Sequence, residues 1–77
     1  METKIKDIIS AMLGIDIQAI DNSTGIDTVE NWDSLNHMNL ITAFEDEFSL
    51  KFSDNQIINM TNYPEIISTI EEYIKNE

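Results

Sequence analysis

Apolar side chains return at helical spacing three times within 77 residues, and this limits the fold more than any single motif. Ile5, Ile8, Ile9, Met12 and Leu13 occupy i, i+3, i+4, i+7 and i+8, which makes one face over nearly three turns. Thr3 can cap this run, and Gly14 follows its last member, where a left-handed residue closes a helix. A first helix is therefore predicted over about 3–13. A second is predicted over 34–48, where His37, Leu40, Ile41, Phe44 and Phe48 share a face. Leu35, Met38 and Thr42 fall on another side of it, and Glu45 continues their line. This second stripe is either covered by a loop or kept for a partner. Ile66, Ile67, Ile70, Tyr73 and Ile74 form the face of a last helix, opened by Asn62-Tyr63-Pro64 because proline suits a first turn.

The connections are less regular. Phe48, Leu50 and Phe52 alternate, as in a short extended link. Ser53 with Gln56 matches a capping box, so a short helix is expected near 54–60, with Ile57, Ile58 and Met60 packing inward. Between the first two long helices, Asp21-Asn22-Ser23-Thr24-Gly25 is a cluster of turn formers. Yet Ile15, Ile17, Ile20, Ile26, Val29 and Trp32 are spread through 15–33, which favours a loop packed onto the core with a helical turn around 16–20. The expected fold is all-α: a small four-helix-type antiparallel bundle, three amphipathic helices plus one short helix, with a long loop between helices 1 and 2. Residues 1–77 have room for one domain and one core.

Charge narrows the function. Four Lys and no Arg against fifteen Asp plus Glu give a net charge of −11, which repels nucleic acid and anionic membrane and attracts basic protein patches. The 42% apolar content, regularly spaced, separates the chain from acidic disordered segments. No apolar run approaches transmembrane length and no signal-peptide layout opens the chain, so a cytoplasmic monomer without membrane insertion is expected. Without cysteine there is neither disulfide framework nor thiolate metal site.

Catalysis and metal binding fit poorly. Asp33, Ser34 and His37 stand close in sequence, but His37 lies on the core face and no Gly-x-Ser-x-Gly elbow surrounds the serine. The segment from Asp21 to Asp27 resembles a calcium loop only superficially, since its glycine stands one place early and the expected glutamate is missing. No catalytic residue and no dedicated metal site is expected. Attention passes to Asn31-Trp32-Asp33-Ser34-Leu35, where the loop gives way to the second helix. Asp33 is a good N-cap, and Ser34 at the first helical position places its hydroxyl near the positive end of the helix dipole, where a phosphate is electrostatically welcome. Asp-Ser is either a cap alone or a cap beside a working group.

Asp33-Ser34-Leu35, set between Ile8-Ile9…Leu13-Gly14-Ile15 and Ala43-Phe44-Glu45-Asp46-Glu47-Phe48, with Tyr73-Ile74 near the end, resembles the acyl carrier proteins of the phosphopantetheine-binding family. The resemblance covers essentially the whole chain. It implies that Ser34 carries 4′-phosphopantetheine, installed from coenzyme A by a phosphopantetheinyl transferase, and that the arm's thiol holds acyl or aminoacyl groups as thioesters. That thiol supplies the sulfur a cysteine-free chain lacks. It further implies a recognition surface on the second helix. Leu35, Met38 and Thr42 would meet apolar spots on acyl-loading and acyl-using enzymes, and Asp33, Glu45, Asp46 and Glu47 would meet their basic patches.

Three departures from the carriers of fatty-acid synthesis stand out. Asn31-Trp32 replaces the usual Gly-Ala, Asn36 and Asn39 stand where acidic residues are common, and Thr42 stands where an apolar residue is common. These point to a discrete carrier in a specialised pathway, such as polyketide or nonribosomal assembly or transfer onto a sugar or other metabolite. Trp32 could pack on the loop or reach the arm. The competing class is an unmodified acidic helical module that binds a basic partner.

Overall fold

Ile5, Ile9 and Leu13 from the first helix share one buried cluster with Leu40, Ile41 and Phe44 from the second and with Ile66 and Ile70 from the last. The computed structural model describes residues 2–75. Its elements are α1 (Glu2–Leu13), a 3-10 turn (Ile17–Ala19), α2 (Ser34–Phe48), α3 (Asp54–Asn59) and α4 (Tyr63–Lys75). This is the small four-helix-type bundle expected, and among the described residues β pairing is limited to one isolated bridge. No described helix is long and apolar enough to cross a membrane.

Local chemistry sets the helix ends. Gly14 takes the left-handed conformation after α1 (φ 69°), and its N–H donates to the Ser10 carbonyl at 2.9 Å. Asp16 caps the 3-10 turn through the Gln18 amide. Ser53 and Gln56 form the full capping box at α3, each side chain accepting the other residue's backbone N–H. Asn62 does similar work at α4, its side-chain oxygen accepting the Glu65 amide at 2.9 Å.

Two expectations need correction. Thr3 is not the cap of α1 but lies inside it and is exposed, because the helix already includes Glu2. The Glu2 carboxylate suits the positive end of the helix and accepts from the Tyr63 hydroxyl at 3.2 Å, which ties α1 to α4. Ile58 does not pack inward: it is 67% exposed, while Met60 is fully buried and Ile57 partly so. A six-residue helix has a single inner side, and Ile58 lies about 100° around the axis from Ile57.

The long loop is pinned rather than free. Ile26 N–H donates to the Thr61 carbonyl at 2.9 Å and Tyr63 N–H to the Thr24 carbonyl at 2.8 Å, joining the loop to the α3–α4 connection. Gly25 permits this approach, since a Cβ there would stand 2.9 Å from the Asn62 Cβ and 3.0 Å from the Thr61 oxygen. Ile20, Thr24 and Trp32 from the loop are all buried. The loop thus arrives at α2 already fixed.

Candidate functional site at the start of α2

The first turn of α2 is built by Asp33. Its backbone is extended, its side chain accepts the Asn36 N–H at 2.9 Å, and its carbonyl accepts the His37 N–H at 2.8 Å. Asp33's own N–H donates to the Asn31 carbonyl at 3.1 Å. Of the four amides a helix leaves without an intrahelical acceptor, Asp33 and Asn36 are therefore served. Those of Ser34 and Leu35 remain for an outside acceptor. Ser34 is exposed at this point, at the head of a 15-residue helix. An anion on its oxygen would meet two N–H groups and the positive end of the helix dipole. The donor set therefore fits a phosphodiester.

Beneath the serine a buried hydrogen-bonded pair ties the end of the loop to α2. Trp32 is 2% exposed, and its indole N–H donates to His37 Nδ1 at 3.0 Å. Since that nitrogen accepts, Nε2 carries the proton, and it donates to the Ile57 carbonyl at 2.8 Å. The two rings lie nearly edge to edge, with centroids 6.2 Å and planes 26° apart, as this in-plane hydrogen bond requires. His37 thereby joins the loop, α2 and α3, and both its nitrogens are engaged away from Ser34. Trp32 packs inward and does not reach toward the exposed side where an arm would hang.

The second stripe of α2 faces outward. Leu35 is 72% and Met38 49% exposed, and the loop covers neither. Thr42 is exposed too, its hydroxyl donating to the Met38 carbonyl. The carboxylates differ from one another. Glu45 accepts the Phe52 N–H at 2.9 Å and so closes the turn after α2, which Ser49 enters in a left-handed conformation. Glu47 pairs with Lys4 at 3.0 Å, an exposed contact of small energetic weight. Asp46 is exposed.

Asn31 and Asn36, which stand out in the sequence only as departures from other carriers, make two contacts that the sequence does not foretell. The Asn31 side chain donates to the Leu13 carbonyl at the end of α1 (3.1 Å), and the Asn36 side chain donates to the Asn31 carbonyl (2.7 Å). No periodicity marks such contacts. The Trp32–His37 bond did leave a signal, because a polar ring on a core face must find a partner.

Comparison with known proteins adds an independent line. Residues 3–70 match the family described as Phosphopantetheine attachment site. An acyl carrier protein of Buchnera aphidicola subsp. Baizongia pistaciae is 38% identical over 74 residues, 96% of this chain and 95% of that one. An acyl carrier protein of Thermotoga maritima is 31% identical over 70 residues, covering 91% and 86%. Among solved structures, a candidate acyl carrier protein of Mycobacterium tuberculosis superposes with a TM-score of 0.83 at 25% identity, over 94% of this chain and 96% of that one.

Proposed function

Since the chain belongs to the phosphopantetheine attachment site family, as an acyl carrier protein, we propose that Ser34 is the residue to which its arm is joined. The observation that carries this is the placement of Ser34: an exposed hydroxyl at the first position of α2, beside two amides without helical acceptors. When bound, 4′-phosphopantetheine supplies the thiol on which acyl intermediates are held as thioesters. The chain's own residues present the hydroxyl, receive the phosphodiester at the helix start and keep water out of the core below. In the loading step the Ser34 oxygen bonds to phosphorus of coenzyme A, 3′,5′-ADP leaves, and the hydroxyl proton passes to the transferase.

The partners in this reading are the transferase and the enzymes that load and use the acyl group. The exposed Leu35, Met38 and Thr42 form the surface they meet, with Asp33 and Asp46 as the carboxylates best placed for their basic residues. Glu45 and Glu47 play a lesser part because each already serves a contact within the chain. The protein acts as one domain and works in the cytoplasm, where coenzyme A is at hand. It is not itself a catalyst, since the one histidine near Ser34 has both nitrogens bonded elsewhere. Asn36, Asn39 and Thr42 leave the first turns of α2 without charge, which supports a role in a specialised pathway.

Mass spectrometry after incubation with coenzyme A and a broad-specificity phosphopantetheinyl transferase tests the assignment. One arm's mass should be gained, and Ser34→Ala should gain none. A gain that survives the substitution places the arm elsewhere. No gain in either protein favours an unmodified module that binds a basic partner.

A further inference from the structure

We infer that Asn36 is a positioning residue for the modification of Ser34: it straps the loop end to the helix start and so fixes the angle at which the serine oxygen is offered. The inference rests on the proposed attachment at Ser34.

The strap is a continuous series of hydrogen bonds. The Asn31 side chain holds the Leu13 carbonyl at 3.1 Å. The Asn31 carbonyl accepts twice, from the Asp33 N–H at 3.1 Å and from the Asn36 side chain at 2.7 Å. Asn36 returns its own N–H to the Asp33 carboxylate at 2.9 Å. Residues 31–36 therefore form a closed ring anchored to the C-terminus of α1. On the other side, Trp32 is held in the core through His37. Ser34 lies within this ring, joined directly to Asp33, whose carboxylate and N–H both take part in it.

The chemistry explains why an amide stands at position 36. The contact needs a short side chain that donates to a carbonyl, and a carboxylate has no proton to give. An aspartate there would also place a second negative charge beside Asp33. The neutral residue that set this chain apart from more acidic carriers thus has a structural task. Transfer onto a serine depends on the oxygen approaching phosphorus in line, so a looser ring should slow the chemical step more than it weakens encounter.

Asn36→Asp is nearly isosteric but removes the donor and adds a negative charge beside Asp33. Asn36→Ala, which removes the donor without adding charge, is therefore measured beside it and should show the same fall in kcat. With the broad-specificity transferase and coenzyme A, kcat should fall by about five- to tenfold while KM stays within about twofold. Asn31→Ala loosens the same ring from its other anchor, so the double variant should be no slower than Asn36→Asp alone. In the unmodified protein, amide exchange at Asp33 and Asn36 should quicken in Asn36→Asp. Ile67→Val, a remote substitution on α4, serves as a control for lost stability. Wild-type exchange rates in Asn36→Asp overturn the inference, as do additive effects of the two substitutions. An equal fall in kcat for Ile67→Val at equal melting temperature overturns it as well. If wild-type protein takes up no arm at Ser34, the attachment reading fails and this inference fails with it.

Discussion

Leu35 and Leu40 stand five residues apart on α2, yet one is 72% exposed and the other is fully buried. Both belong to stripes that recur at helical spacing, and hydropathy alone ranks them equally. The inner face of α2, with Leu40, Ile41 and Phe44, is fixed by α1, α4 and the pinned loop. The outer face, with Leu35, Met38 and Thr42, lies beside Ser34 and is left open. The difference teaches that two stripes of equal hydropathy on one helix have different fates: one holds the helix in the bundle, and the other stays exposed beside Ser34.

Substitutions on the two faces should separate cleanly. Phe44→Ala removes a fully buried ring and should cost about 3–5 kcal/mol, against under about 0.5 kcal/mol for Met38→Ala, both read from denaturant midpoints. Similar losses at the two positions would abolish the distinction. His37→Ala comes next, because it orphans the buried Trp32 indole N–H, while the Ile57 carbonyl keeps only the Met60 N–H, and it should cost about 1–3 kcal/mol. Trp32 is the only tryptophan, so its emission should shift to the red as that seam loosens.

On the outer face, Met38→Glu should leave the melting temperature nearly unchanged but slow acyl transfer by the cognate enzyme about tenfold, because it sets a charge against an apolar contact. Unfolding of that variant would show that the stripe is core. The smallest effect lies in the loop that delivers α2. The Ser23 hydroxyl and then the Ser23 amide, both donating to the Asp21 carboxylate, lower its pKa from 3.8. A lowered carboxylate stabilises the fold above its unfolded pKa, and that contribution is lost as pH falls through the folded value. Wild-type protein should therefore lose stability below pH 3.8 slightly more steeply than Asp21→Asn, as followed by acid titration of ellipticity.

Periodicity and capping made much of this legible. The limits of α2 follow from Asp33 at one end and the break in pattern after Phe48 at the other, and the capping box located α3. The apolar residues scattered through the loop suggest a helical turn around 16–20, and the 3-10 turn Ile17–Ala19 stands there, with Asp16 as its cap. Ile58 was misplaced because six residues cannot show which side of a helix faces in. The Asn31–Asn36 strap was missed because it joins residues through backbone carbonyls, which carry no sequence signature.

What the sequence determined by itself is local: where helices begin and end, and that a serine stands at the positive end of the longest one. These depend on neighbours a few residues apart, whose chemistry is written in order along the chain. The tertiary structure decided which α2 stripe stays open, that Trp32 turns inward to His37, and that Glu45 and Glu47 are engaged within the fold. Those outcomes turn on which side of an element meets the rest of the fold. The pairings that settle it reach across the chain, as Lys4 does to Glu47 and His37 to the Ile57 carbonyl, so only packing the whole chain sets them.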